Sequence, residues 1–247
     1  MSNRIVIIPT YNEIENIQAI IEKVLGLKPD FHVLIVDDGS PDGTAAEVKR
    51  LQNLHPDQVF LLERKGKLGL GTAYIAGFRW ALEKAYEFIF EMDADFSHNP
   101  EDLVRLFEAC SVGNQPADMA IGSRYINGVN VVNWPMGRVL MSYFAGFYVR
   151  FITGMPVQDA TAGFVCYRRK VLETIDLDQI KFIGYAFQVE MKFSTWKFGF
   201  NLQEVPIIFT DRTKGTSKMS ANIFKEAIFG VIQLKINSLF KRYQKAS

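Results

Sequence analysis

Short apolar runs alternate with segments of helical period through the first half of this chain. Arg4-Ile5-Val6-Ile7-Ile8 reads as a buried strand ended by Pro9. Residues 13–27 follow with Ile17, Ile20, Ile21, Val24 and Leu25 on one helical face. Val33-Leu34-Ile35-Val36 is a second strand, and Asp42 can cap a helix over residues 43–54. Val59-Phe60-Leu61-Leu62 is a third strand, residues 70–85 a helix, and residues 88–92 a fourth strand. Pro100 opens another helix, and Met119-Ala120-Ile121 is a fifth strand. Continuously apolar strands that alternate with helices predict a mostly parallel, Rossmann-like α/β sheet with helices on both faces. In the second half, residues 137–153 and 186–198 read as helices and residues 202–209 as a strand.

The last helical pattern, residues 221–243, has an apolar arc through Ile223, Phe224, Ile228, Val231, Ile232, Ile236 and Leu239. That is wider than a surface helix of a globular domain needs. From Arg212 onward there are eight Lys and Arg against one Glu; the tail carries +7 and residues 1–211 carry −6. An apolar arc with basic flanks predicts a helix lying in a membrane interface. The expected division is a catalytic domain over 1–219 and an amphipathic basic helix over 220–247.

Other composition narrows the class. No run reaches the ~18 uncharged apolar residues of a membrane span, and no signal-peptide pattern is present. Cys110 and Cys166 have no metal-type spacing, and His32, His55 and His98 do not cluster. No recognised nucleic-acid module is present, so no nucleic-acid partner is expected. Gly69-Leu70-Gly71 lacks the third glycine of a dinucleotide fingerprint and does not directly follow a strand, which excludes a Rossmann dehydrogenase.

In a parallel α/β sheet, ligands bind beyond the carboxyl ends of the strands. At those ends stand Pro9-Thr10-Tyr11-Asn12-Glu13, Asp37-Asp38-Gly39-Ser40-Pro41-Asp42, Asp93-Ala94-Asp95 and Gly122-Ser123-Arg124-Tyr125. Asp93 and Asp95 are two residues apart, which in an extended strand places both carboxylates on one face. Hard oxygen donors of this kind suit Mg²⁺ or Mn²⁺ with a diphosphate.

Taken in order, these segments resemble the polyprenyl-phosphate mannose synthases, of the dolichol-phosphate mannose synthase type, in glycosyltransferase family 2. The resemblance also rests on Lys67-Leu68-Gly69-Leu70-Gly71-Thr72, Asp93-Ala94-Asp95-Phe96-Ser97-His98, Trp134 with Arg138 and Ser142, Asp159-Ala160-Thr161-Ala162-Gly163-Phe164, residues 184–191, Val205-Pro206, and Asp211-Arg212 with Gly215-Thr216-Ser217-Lys218. It implies a GT-A fold, GDP-mannose as donor, Mg²⁺ or Mn²⁺, a polyprenyl monophosphate acceptor, and action at the cytoplasmic face of a membrane, with room for a membrane-protein partner. On this resemblance Asp93 and Asp95 hold the metal, with Ser97 where some members carry Gln. Pro9, Tyr11, Glu13, Asp37, Asp38 and Ala94 belong to the nucleotide-sugar site. Arg212 and Lys218 would stabilise the leaving diphosphate, and Arg124, Arg138 and Ser142 would clamp the acceptor phosphate. Gln188 and Glu190 are candidates for sugar contacts. A phosphate monoester, with a second pKa of ~6, is already anionic at pH 7, so no general base is assigned. One displacement at the anomeric carbon predicts inversion. The rival readings are transfer from UDP-glucose, transfer to a sugar hydroxyl, and a non-catalytic nucleotide-sugar-binding scaffold. The aromatic stretch over residues 143–151 is either core packing or a greasy surface for the acceptor tail.

Overall fold

A computed structural model describes residues 2–211 and 221–243. Along the chain run β1 (Arg4–Thr10), α1 (Ile17–Leu25), β2 (His32–Asp37), α2 (Thr44–Leu54), β3 (Val59–Glu63), α3 (Leu70–Glu83), β4 (Phe88–Glu91), α4 (Asp102–Ser111) and β5 (Met119–Ser123). Then come β6 (Val131–Val132), α5 (Met136–Thr153), β7 (Val165–Arg168), α6 (Arg169–Thr174), α7 (Tyr185–Lys197), β8 (Leu202–Pro206), β9 (Phe209–Thr210) and α8 (Ala221–Phe240).

Seven strands form one sheet in the order β3-β2-β1-β4-β7-β5-β8, and β6 pairs with β9 in a small second sheet. Every neighbour pairing in the large sheet is parallel except those of β7, which is antiparallel to both β4 and β5. The strands read as continuous apolar runs because both faces are covered. Ile5 and Ile7 of β1 join Tyr74, Phe78 and Phe187 on one side, while Val6 and Ile8 join Ile17, Val48 and Leu103 on the other. The chain leaves β1 for β2 on one side and later returns to β4 on the other. A crevice therefore opens at the carboxyl ends of β1 and β4, where such sheets bind ligands.

Four local expectations are corrected. Pro9 does not end β1; it lies opposite Val36 inside the strand. Ile7 and Pro9 face β4, whose last paired residue, Glu91, stands opposite Ile7. The missing N–H of Pro9 therefore falls on an unpaired edge, where proline is tolerated. The first helix begins at Ile17, because residues 13–16 form a turn in which Asn16 and Ile17 both donate backbone N–H to Glu13 O. Asp42 acts one residue earlier than a cap: Gly43 holds the cap position, while the Asp42 carboxylate accepts from Thr44 and from Ile14 N. Residues 202–209 are not one strand. The chain leaves the large sheet after Pro206 and crosses to β6, which carries Asp211 over the crevice. Strand β7, wedged between β4 and β5, has no counterpart in the sequence reading.

Helix α7 is buried around its circumference; Gln188, Lys192, Ser194 and Thr195 are as inaccessible as Phe187 and Met191. Helix α8 packs on α5 and α7 through Val231, Leu234 and Ser238, and leaves Phe229, Ile236, Leu239 and Phe240 exposed. No helix among the described residues is long and apolar enough to cross a membrane.

Candidate active site

The loops after β1 and β2 are knit to each other. Asp37, almost inaccessible, accepts from Thr10 Oγ1 at 2.9 Å, Ser40 Oγ at 2.6 Å and Ser40 N at 2.9 Å. Asp38 takes a two-pronged bond from Arg64, at 2.7 and 3.0 Å, and Arg64 also donates to Thr72 Oγ1. The Lys67 ammonium lies 5.4 Å from the Tyr11 ring centroid. Glu13 receives Asn16 Nδ2, and its backbone N–H bonds Thr44 Oγ1. Both aspartates expected to meet a nucleoside thus have internal partners that shape the loop ends, and Pro9 lies opposite Val36, one residue before Asp37 in register.

Beyond β4 lies a cavity of about 230 Å³, lined by Asp93, Asp95, Ser97 and His98 on one side and by Arg124, Trp134, Arg138 and Ser142 on the other. β4 ends at Glu91, so Asp93 and Asp95 sit in the turn after the strand. Their convergence comes from that turn and not from strand alternation. Asp95 Oδ1 accepts Ser97 N at 3.1 Å, and Ser97 Oγ is buried with no hydrogen-bond partner among the described residues. No group of three or more His, Cys, Asp or Glu is gathered as a metal site among the described residues. Two carboxylates beside an unpartnered hydroxyl nevertheless fit a hard divalent cation, which commonly takes one or two protein carboxylates and fills its shell with water and substrate phosphate oxygens. His98 stacks on Phe164 at 4.8 Å, and its Nδ1 accepts Asp93 N at 3.4 Å. Burial pushes its imidazole well below the usual histidine value, against the opposing charge of Asp95, so the ring is neutral at pH 7.

Arg124 is held by a fork. Nε donates to Asp159 Oδ2 at 2.7 Å, Nη2 to Asp159 Oδ1 at 2.6 Å, and Nη2 also to Thr161 Oγ1 at 2.9 Å. Burial raises the Asp159 carboxyl, but the charge and hydrogen bonds of Arg124 outweigh it, and the acid titrates below the ordinary carboxylate range. Arg124, expected in the acceptor-phosphate clamp, lines the cavity with its Nε–Nη2 edge bonded to Asp159. Arg138, half-exposed, donates to Asp211 Oδ1 at 2.9 Å and lies 4.1 Å over the Trp134 ring.

Gln188 lines the cavity, but Glu190 does not. The Glu190 Oε2 accepts from the backbone N–H of Lys181 and Phe182 at 2.9 and 3.0 Å, which fixes the turn before α7. Its carboxylate, expected as a candidate sugar contact, thus latches that loop. Ala94 is buried in the core beneath its two aspartate neighbours. Arg212 and Lys218 lie outside the described residues. Below the cavity, Gln188 Nε2 donates to Glu91 Oε2 at 2.6 Å, and Lys192 Nζ donates to Gln188 Oε1 at 3.1 Å and Ala162 O at 2.6 Å. Burial pushes Glu91 up and Lys192 down, each held back by the other's charge.

The sequence reading gave no role to His98, Trp134, Asp159, Thr161, Phe209 or Asp211. A single strand over 202–209 hides Phe209, which belongs to β9, while Asp211 stands in a motif of the resemblance with no role attached to it. Asp159 had a signal, an acid ahead of Thr161 and Gly163, but no spacing rule joins it to Arg124.

One cavity at the carboxyl ends of the strands thus brings together two aspartates, Asp93 and Asp95, and two arginines, Arg124 and Arg138. The model of the glycosyl transferase family 2 matches residues 5–176, and the chain belongs to that family. It is 48% identical over 238 residues to a polyprenol monophosphomannose synthase of Mycolicibacterium smegmatis, covering 96% of this chain and 89% of that one. It is 46% identical to an undecaprenyl-phosphate mannosyltransferase of Micrococcus luteus, covering 91% and 90%. A glucosyl-3-phosphoglycerate synthase from Mycobacterium tuberculosis, solved with Mn²⁺, UDP and product, superposes with a TM-score of 0.68 at 15% identity, over 96% of this chain and 80% of that one. That likeness shows the fold alone, the GT-A fold expected from the sequence.

Proposed function

We propose that this glycosyltransferase moves mannose, with inversion, from GDP-mannose to the phosphate of a polyprenyl monophosphate, at the cytoplasmic face of a membrane. One observation carries the reading: α5 has two chemical faces. It turns Arg138, Met141, Ser142 and Ala145 into the cavity. It leaves Leu140, Tyr143, Phe144, Phe147 and Phe151 exposed. An anion seat that opens beside an uncovered aromatic face suits a phosphate with a hydrocarbon tail. The names of the two relatives, a polyprenol monophosphomannose synthase and an undecaprenyl-phosphate mannosyltransferase, support mannose as the sugar and a polyprenyl phosphate as the acceptor.

Asp93 and Asp95, with Ser97 beside them, would hold Mg²⁺ or Mn²⁺, which would neutralise charge on the leaving diphosphate. Arg138, carried on Trp134, offers charge-assisted bonds to the incoming phosphate, and Ser142 adds a hydroxyl. Arg124 contributes a fixed positive charge at the wall. The phosphate needs no base, whereas a sugar hydroxyl would. Of the carboxylates lining the cavity, Asp93 and Asp95 would be taken up by the metal and Asp211 is bonded to Arg138, which disfavours a hydroxyl acceptor. The exposed rows of α5 and α8 would lie against the bilayer, with Lys241 and Arg242 at the headgroups.

The test is transfer of label from GDP-mannose, and in parallel from UDP-glucose, to a polyprenyl phosphate with Mg²⁺ or Mn²⁺. Label in an acid-labile lipid from GDP-mannose alone is expected. Label from UDP-glucose would change the sugar, and no lipid label from either donor would remove the lipid acceptor.

A further inference from the structure

We infer that Lys192 is a positioning residue: it ties the 159–164 loop, which holds Arg124, through Gln188 to Glu91, on the strand that delivers Asp93 and Asp95. The two walls of the cavity would thereby keep one spacing. The inference rests on this cavity being the site of glycosyl transfer.

Lys192 is fully buried on α7, and its ammonium donates to three oxygens: Ala162 O at 2.6 Å, Gln188 O at 3.2 Å and Gln188 Oε1 at 3.1 Å. Gln188 passes the connection on, since its Nε2 donates to Glu91 Oε2 at 2.6 Å. Tyr167 OH secures the other oxygen of Glu91 at 3.2 Å. Acceptor and donor ends of the Gln188 amide are therefore each matched, and the amide has one orientation. Glu91 is the last residue of β4, two before Asp93.

At the far end, Ala162 belongs to a segment outside both sheets and all helices. Its neighbours Asp159 and Thr161 bond the Arg124 guanidinium, and Thr161, Ala162 and Gly163 line the cavity. Glu204 secures the start of the segment by accepting the backbone N–H groups of Gln158 and Asp159 at 2.7 and 2.9 Å. Lys192 secures its middle from below.

Packing alone does not call for a lysine here. The neighbouring positions, Met191 and Phe193, are apolar and equally buried. Replacing a buried ion pair by apolar residues of similar volume is often neutral or stabilising. Three converging donors on a loop carbonyl and a glutamine are what methionine lacks.

The experiment compares the full-length wild type, Lys192→Met, and the double variant Glu91→Gln with Lys192→Met, which removes both buried charges together. Three quantities are read: amide hydrogen exchange over residues 159–164, affinity for GDP with Mn²⁺, and kcat for mannosyl transfer. Lys192→Met is expected to raise exchange in that segment at least tenfold and lower kcat at least tenfold, with nucleotide affinity within about twofold of wild type. The double variant is expected to regain thermal stability and keep the low kcat. Unchanged exchange in Lys192→Met, or kcat that recovers along with stability in the double variant, would overturn the inference. If the wild type transfers no mannose, the substrate reading fails instead, and the exchange measurement still decides whether Lys192 holds the loop.

Discussion

Asp159→Asn offers a direct measure of how the cavity wall is held. The replacement is isosteric, so no void forms, but the fork to Arg124 loses its charge and gains an NH₂ facing a guanidinium N–H. Asp159 is 1% exposed and its partner's side chain 11%. Removing one member of a buried pair generally costs about 3–5 kcal/mol. Arg124 borders the cavity and can recover some hydration, which places the expected loss near the lower end, about 3 kcal/mol. For a chain of this size that corresponds to a melting point lower by roughly 6–12 °C. Urea unfolding should show a lower midpoint at unchanged slope, and a double-mutant cycle with Arg124→Met should give a coupling of about 2 kcal/mol or more. The pH dependence has a definite sign. The native Asp159 carboxyl titrates below its ordinary value of 3.8, so its contribution is present above that value and lost as pH falls through the native one. Wild type and variant should therefore converge in stability below about pH 4. A loss under about 1 kcal/mol, or a coupling near zero, would mean that the pair behaves like a surface contact and would refute the argument.

Gly77→Ala should destabilise by about 1–3 kcal/mol through overpacking, because a Cβ there would stand 2.6 Å from Ile7 Cγ2; chemical denaturation measures it. Trp134→Leu removes the ring 4.1 Å from the Arg138 guanidinium and should raise the acceptor KM about 3–10-fold, with kcat nearly constant, given the ~0.5–2 kcal/mol of such contacts. Asp211→Asn removes the competitor for Arg138. As the pair is about one-third exposed and worth at most about 1 kcal/mol, the acceptor KM should fall by up to about fivefold. Phe147→Ser with Phe151→Ser should cut sedimentation with lipid vesicles at least ~10-fold while leaving the melting point within a few degrees, since both side chains are largely exposed and each would otherwise bury ~1.5–3 kcal/mol of apolar surface in lipid.

The parallel half of the fold was legible because β1, β2 and β4 are largely buried on both faces, and they and the half-buried edge strand β3 appear as apolar runs. β7 escaped because four residues, Val165–Arg168, stand between a glycine-containing turn and a basic pair, outside the strand–helix alternation. α7 could be found as a helix, but its faces could not, since Gln188, Glu190, Lys192, Ser194 and Thr195 are all buried. Polar groups there serve one another, and hydrophobic period carries no information about such pairing. The acidic motifs show the same limit. Asp37, Asp38 and Glu190 are placed at the strand ends and beside the cavity by chain order, yet each carboxylate is bonded to its own scaffold. Asp93 and Asp95 do reach the cavity together, but through the turn after β4 and not through the strand alternation that their spacing suggests.

The two arginines illustrate why residue type and position together still leave chemistry undecided. Both stand at the same wall, and both face an aspartate and aromatic rings. Arg124 is bound on two donors by a carboxylate that water does not reach, so an arriving anion would have to displace a buried charge that water cannot hydrate. Arg138 donates to Asp211 at 2.9 Å, with both side chains about one-third exposed, so water reaches that carboxylate when a phosphate oxygen takes its place. The difference in desolvation makes Arg138 the exchangeable cation and Arg124 the fixed one. On the proposed function, the place of Arg138 on α5 fits: the group that would grip and release the acceptor phosphate is carried beside the exposed apolar row along which a hydrocarbon tail would enter.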